Sequence, residues 1–130
     1  MNAETMTEEA LAVVLRVENT DSAFAWYQRL GFNMEYEHSR GPALNQTMVV
    51  IRRGKLALIL SDREEAGPTG ALLYMQVADI AAVANEFDVT PQNLLLGQQQ
   101  VELHDPDGNR IRVVTAPNII PRPGRLIAPS

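Results

Sequence analysis

Residues 11–27 read LAVVLRVENTDSAFAWY, and residues 71–87 read ALLYMQVADIAAVANEF. The two stretches align without a gap at a constant offset of 60 residues, and their apolar positions coincide at Val13/Leu73, Leu15/Met75, Val17/Val77, Ala23/Val83 and Tyr27/Phe87. In each copy, a Val- and Leu-rich half typical of a buried strand precedes a half with helical spacing. The sequence therefore predicts a chain built from two copies of one module.

The rest of each copy predicts three more strands. In the first copy, the cluster at residues 19–21 suits a helix N-cap, and Gly31 suits a C-cap. Strands are then expected at about 32–38, 47–52 and 55–61. In the second copy, a helix at about 79–87 precedes strands at about 93–96, 99–104 and 110–115. Each half is thus predicted to be β-α-β-β-β, and the fold class is α+β.

The 130 residues fit one compact domain and are too few for two conventional ones. We predict a single domain over residues 1–130, with module 1 at about 11–61, a linker at 62–70 and module 2 at about 71–116. The tail, residues 117–130, holds four of the eight prolines together with Ile119, Ile120, Leu126 and Ile127. We expect this tail to be extended and to pack on the domain or on a second subunit.

Composition excludes several classes of protein. The chain has no cysteine, so a disulfide framework, a thiolate metal site and a cysteine nucleophile are all excluded. A net charge of −5 argues against binding to a nucleic-acid backbone. The acidic N-terminus lacks the pattern of a signal peptide, and no apolar run is long enough to span a bilayer. We therefore expect a cytoplasmic protein that contacts neither membrane nor nucleic acid.

Two short motifs carry a resemblance to a known family. WYQRLGF at 26–32 and the turn DPDGN at 105–109, set within paired βαβββ modules, resemble the vicinal oxygen chelate superfamily over roughly residues 11–116. That group includes glyoxalase I, extradiol dioxygenases and bleomycin resistance proteins. The resemblance implies a curved mixed sheet around a concave cavity. The motifs themselves have structural roles, since Gly31 ends a helix and Pro106 and Gly108 shape a turn, so they identify architecture rather than chemistry.

Metal-dependent members of the superfamily hold a divalent ion inside the curved sheet. The resemblance places one ligand on the first and one on the last strand of each module. Alternation along the strands assigns these positions to Ala12, Ile59, Leu72 and Arg112. Three are apolar and the fourth is a permanent cation, so we predict no metal at this site and no cofactor. His38 and His104, the two histidines, lie elsewhere.

The same alternation predicts which polar groups face the cavity. The candidate ligand-binding residues are Arg16, Tyr74, Gln76, Arg110 and Arg112. Arginines beside a phenol and an amide could hold a carboxylate, a phosphate or a planar polar ligand. The alternative is that the arginines extend to solvent or pair with glutamates such as Glu102. Trp26 is expected to pack in the core.

Three functions compete at this stage. The first is a metal-free small-molecule-binding protein similar to the drug-sequestering bleomycin resistance proteins, for which the resemblance implies a homodimer. The second is a lyase, isomerase or dioxygenase-type enzyme with a non-standard site, whose base would come from Glu35, Glu37, Tyr74 or His38. The third is a ligand-free dimerisation module. We favour the first and assign no catalytic residue.

Overall fold

The structure is a computed structural model that describes residues 9–40 and 46–115. Module 1 comprises β1 (Val13–Arg16), α1 (Thr20–Arg29), β2 (Asn33–Arg40), β3 (Gln46–Arg53) and β4 (Leu56–Ser61). Module 2 comprises β5 (Leu72–Gln76), α2 (Ile80–Phe87), β6 (Gln92–Asn93), β7 (Gln99–His104) and β8 (Arg110–Val114). The predicted order of elements is confirmed. The predicted tail, residues 117–130, lies outside the described residues.

The strands form two four-stranded mixed sheets with the same topology. Their orders are β1-β4-β3-β2 and β5-β8-β7-β6. In each sheet the first and last strands are parallel neighbours, as β1 with β4 and β5 with β8, and the other pairs are antiparallel. Within the described ranges, β1 and β5 therefore each lie at the edge of a sheet. No helix in these ranges is long and apolar enough to cross a membrane.

Each helix begins at an equivalent cap. The Asn19 side chain accepts a hydrogen bond from the Ser22 amide at 2.9 Å, and the Asp79 side chain accepts one from the Ala82 amide at 3.1 Å. These bonds satisfy one of the amide groups that the first turn of a helix leaves unpaired. The caps are separated by the same offset as the repeat, so the duplication extends to the start of each helix.

The two modules pack against each other through their helices. The Trp26 ring lies 5.2 Å from the Phe87 ring, and the Arg29 guanidinium lies 4.4 Å from the centre of the same ring. Arg29 also pairs with Glu86 at 3.1 Å. Trp26 packs against the buried core cluster, as expected from its helical position. These aromatic and cation–π contacts link the two copies of the module.

The two motifs also meet, although they are far apart in sequence. The buried Tyr27 hydroxyl donates to Asp105 Oδ2 at 2.6 Å, and Asn109 Nδ2 donates to the same oxygen at 2.9 Å. Asn109 Oδ1 in turn accepts from the amides of Gly70 and Ala71 at 3.0 and 2.9 Å. Burial, together with the neighbouring carboxylate, raises the pKa of Tyr27 far above its usual range. The tyrosine of the first motif is therefore held by the turn of the second.

One local prediction is corrected. The strand expected at 93–96 covers only Gln92–Asn93, and a 3-10 helix follows at Leu95–Gly97. The Leu94 amide bonds the Gln98 carbonyl at 2.8 Å, so the chain closes a local turn there instead of extending the ladder. In that turn, Leu96 adopts a left-handed conformation (φ 60°).

Candidate functional site

A cavity of about 540 Å³ lies between the two modules. Its buried wall consists of Tyr27, Leu30, Phe32, Leu58, Met75 and Ile111. Leu58 and Ile111 occupy equivalent positions, because each pairs across the ladder with the matched residue of the repeat, Val13 or Leu73. Both of those residues also line the cavity. The cavity therefore lies along the seam, the region where the two copies of the module meet. Its apolar wall suits a ligand of drug size.

The rest of the lining is more exposed and carries the polar groups. It consists of Leu11, Lys55, Leu56, Ala57, Tyr74 and Gln76. Lys55 is the only lysine of the chain, and it lies in the turn between β3 and β4. Tyr74 and Gln76 lie on β5, whose outer edge has no strand partner within the described ranges. One cation, one phenol and one amide thus complete a site that is otherwise hydrocarbon.

Gln76 has a free acceptor. Its amide oxygen Oε1 is buried and has no hydrogen-bond partner among the described residues. Nearly all buried polar atoms in folded proteins are paired, so an unpaired one in a cavity wall needs an explanation. In the sheet, Gln76 is in register with Val114, which is itself in register with Gln100.

A second polar row crosses the sheet beside the cavity. Arg112 Nη1 donates to the Tyr74 hydroxyl at 2.7 Å, and Arg112 Nε donates to Glu102 Oε1 at 2.9 Å. His104 lies 3.1 Å from the other Glu102 oxygen. Hydrogen bonding to Arg112 lowers the pKa of Glu102, and hydrogen bonding to Glu102 raises the pKa of Arg112. The Arg112 guanidinium therefore forms an ion pair with Glu102 and at the same time donates a hydrogen bond to the Tyr74 hydroxyl.

The structure separates the five candidate ligand-binding residues into two groups. Tyr74 and Gln76 line the cavity, and Arg112 is bonded to Tyr74. Arg16 does not line it, and its guanidinium donates to the Gly67 carbonyl at 3.3 Å. Arg110 does not line it either, and lies in register with Leu72 and His104. The alternative role as an ion pair is realised for Arg112, with Glu102 as its partner.

Glu35, one of the candidate bases, is held in an ion pair. Arg52 donates two hydrogen bonds to Glu35, at 2.8 and 3.0 Å. This hydrogen bonding to Arg52 lowers the pKa of Glu35. Such a carboxylate is a weaker base than a free one. Glu37, a second candidate base, lies on the same strand as Glu35. A register shift between Met34 and Tyr36 places Glu37 opposite the buried Val49, because a bulge inserts one residue.

The four positions predicted to correspond to the family's metal ligands carry no carboxylate, imidazole or thiolate. Ala12, just before β1, Ile59 and Leu72 have hydrocarbon side chains. Arg112 carries a positive charge and is ion-paired with Glu102. These groups do not fit a divalent cation, which requires carboxylate oxygen, imidazole or thiolate. Among the residues that the structure describes, no group of three or more His, Cys, Asp or Glu is arranged to hold a metal ion.

Sequence reasoning missed Lys55 and most of the apolar wall. Alternation identified the face opposite the helices, whereas the cavity lies along the seam between modules and draws on both faces of β5. The signal that could have located it is the repeat itself. Matched apolar positions at the start of β1 and β5 belong to edge strands, and edges are where two modules can meet.

Comparison with known proteins supports the fold. No family model and no curated protein matches the sequence. Among solved structures, the chain is similar to a bleomycin-binding protein complexed with bleomycin, at 22% identity and a TM-score of 0.62 over 84% of this chain and 98% of that one. It is also similar to an antibiotic binding protein from a Streptomyces species, at 18% identity and a TM-score of 0.67 over 83% and 95% of the two chains.

A third similar structure is a member of the glyoxalase/bleomycin resistance protein/dioxygenase superfamily from Sphaerobacter thermophilus. It is 20% identical, with a TM-score of 0.64, and the match covers 85% of this chain and 98% of that one. These likenesses establish the architecture. The chain has the glyoxalase/bleomycin resistance fold, as the resemblance of its motifs predicted.

Proposed function

We propose that this chain binds a mainly apolar small molecule in the cavity between its modules, without a metal ion and without turnover. The observation that carries the proposal is the cavity of about 540 Å³, with its apolar wall and a buried acceptor that has no partner within the described residues. Small-molecule sites have this size and this combination of hydrocarbon with a few placed polar groups.

Sequestration of an antibiotic is the more specific form of this function. It is supported by the fold shared with the bleomycin-binding and antibiotic binding proteins. The residues at the predicted metal positions support binding without catalysis, because none of their side chains can hold a divalent ion that would act as a Lewis acid. Glu35, a candidate base, is occupied by Arg52.

Titration calorimetry with bleomycin and with 1-anilinonaphthalene-8-sulfonate tests both levels of the proposal. We expect the naphthalene dye to bind with one site per chain. Ala57→Trp, which places a large ring in the cavity lining, should abolish binding, whereas Ala25→Trp, on the exposed face of α1, should not. Equal binding by wild type and Ala57→Trp would contradict the cavity as the site. Absence of bleomycin binding would remove that drug as the ligand.

We also propose that the chain forms a homodimer. The sheet faces opposite the helices carry exposed apolar side chains, including Val14 at 45%, Tyr36 at 54% and Leu72 at 39%. Exposed apolar surface of this kind marks contact sites in many proteins. Light scattering on the purified chain tests this directly, because a mass equal to one chain across micromolar concentrations would contradict it.

A further inference from the structure

We infer that the ligand of this cavity is a neutral or anionic ring compound that carries one hydrogen-bond donor and one acceptor, and that cations are disfavoured. The inference rests on the proposed binding function and adds the polarity of the ligand. It follows from three side chains that line the cavity, Lys55, Tyr74 and Gln76.

The donor requirement comes from Gln76. Its buried amide oxygen has no partner within the described ranges, so a ligand N–H or O–H that reaches it gains a bond without displacing one. A purely hydrocarbon ligand would leave this buried acceptor unpaired. Gln76 therefore selects for a donor on the ligand.

The acceptor requirement comes from Tyr74 and Lys55. The Tyr74 oxygen accepts a hydrogen bond from Arg112 at 2.7 Å, so the hydroxyl hydrogen of Tyr74 is available to donate. A charged donor behind a hydroxyl polarises it and strengthens its own donation. Lys55 adds a positive charge among the exposed lining residues. Both groups favour a carboxylate or carbonyl oxygen on the ligand.

A cation would find no counter-charge here. Among the described residues that line the cavity, none is an aspartate or glutamate. Glu102, in the row beside the cavity, is already bonded to Arg112 and His104. An ammonium group moved into this site would lose hydration without gaining an ion pair.

A matched naphthalene series tests the inference by calorimetry. The probes are 6-hydroxy-2-naphthoic acid, 2-naphthoic acid and 2-naphthylmethylamine, which share their rings and differ in polar groups. We expect the hydroxy acid to bind about fivefold to tenfold more tightly than the acid, the effect of one added hydrogen bond, and the amine to bind most weakly. If none of the three binds, the proposed function fails. If the amine binds as tightly as the acids, the cavity stands and this inference fails.

Two substitutions of Gln76 isolate its role. Gln76→Met should remove the advantage of the hydroxy acid and leave 2-naphthoic acid unchanged. Gln76→Glu keeps an acceptor, adds a negative charge and should shift preference towards the amine. Gln100→Met, two strands away in the same row, is the matched control and should retain the wild-type order. Retention of the hydroxy acid's advantage in Gln76→Met would overturn the assignment.

Lys55 gives an independent reading because it is the only lysine. Reductive methylation with a ¹³C label places a dimethylamino signal on this side chain, resolved from that of the chain's terminal amine. We expect 2-naphthoic acid to shift the Lys55 signal, and Lys55→Gln to weaken binding about twofold to threefold at low salt. An unshifted signal at saturating 2-naphthoic acid would exclude Lys55 from the site.

Discussion

At the scale of single residues, the hydrogen bond between Tyr27 and Asp105 explains two sequence motifs that lie far apart. The two residues are 78 positions apart, and their side chains meet in the buried interior at 2.6 Å. The motif residues were identified from the sequence, and their roles as a helix end and a turn were predicted. The bond between them was not predictable, because it depends on how two modules dock and not on the local pattern.

Removal of the Tyr27 hydroxyl should destabilise the fold. Tyr27→Phe leaves Asp105 with one fewer donor in a buried site, and we expect a loss of about 1–3 kcal/mol in the free energy of unfolding. Urea denaturation followed by circular dichroism measures it. Tyr36→Phe, an exposed residue, is the control and should change stability by less than about 0.5 kcal/mol. Equal stabilities for the two variants would contradict the role given to the bond.

Asp107 gives a prediction of pH dependence. Burial raises the pKa of Asp107, with help from the charge of Asp105, although the Glu18 amide donates to it at 2.9 Å. A carboxyl whose folded pKa exceeds its unfolded value binds its proton more tightly in the folded state, so ionisation destabilises the fold as pH rises. Asp107→Asn keeps the acceptor and removes the charge.

We therefore expect Asp107→Asn to raise the melting temperature at pH 7. The gain should vanish below about pH 3.9, the ordinary value for aspartate, where both states of the wild-type carboxyl are protonated. Glu9→Gln, which neutralises an exposed carboxylate outside the helices and strands, is the control and should change the melting temperature little at either pH. A gain that persists unchanged at pH 3 would show that charge is not its cause.

At the scale of secondary structure, most of the helices and strands could be predicted from the sequence. Helix caps, Gly31 at the end of α1 and the hydrophobic alternation are local signals, and they predicted both helices and all eight strands in order. The short extent of β6 and the bulge in β2 were not predicted. The first depends on the turn closed by the Leu94–Gln98 hydrogen bond, and the second depends on the pairing of Tyr36 with Val50 across the ladder.

The equivalent caps should contribute equally. Asn19→Ala and Asp79→Ala each remove one side-chain acceptor from a helix start, and we expect each to cost about 1 kcal/mol of unfolding free energy. Asn19→Asp retains an acceptor and should cost much less. Thermal or urea unfolding of the four proteins, wild type included, compares them. A negligible cost at either site would contradict the assignment of that residue as a cap.

At the scale of the whole molecule, the cavity results from placing two copies of one module side by side. Alternation on a single strand identified Tyr74 and Gln76, because their positions follow from the pleat of β5. The wall residues Tyr27, Leu58 and Ile111 belong to different elements, and only docking of the modules brings them together. The cavity lining was therefore predictable where it depends on one strand and unpredictable where it depends on how the two modules dock.

We propose that both modules form one folding unit, since Trp26 of module 1 packs against Phe87 of module 2 and the Tyr27 hydroxyl donates to Asp105 between the modules. We expect unfolding in a single transition. Fluorescence of Trp26, the only tryptophan, and far-ultraviolet circular dichroism should then give the same urea midpoint and slope. Two separated midpoints would mean that the modules unfold independently.

The most direct test of the cavity as the binding site is a ¹⁵N–¹H spectrum of the chain titrated with 2-naphthoic acid. Saturable shifts should concentrate at Leu58 of module 1 and at Leu73, Gln76 and Ile111 of module 2, all of which line the cavity. Shifts confined to one module, or shifts around Arg110 and His104 with none at the residues that line the cavity, would contradict the account.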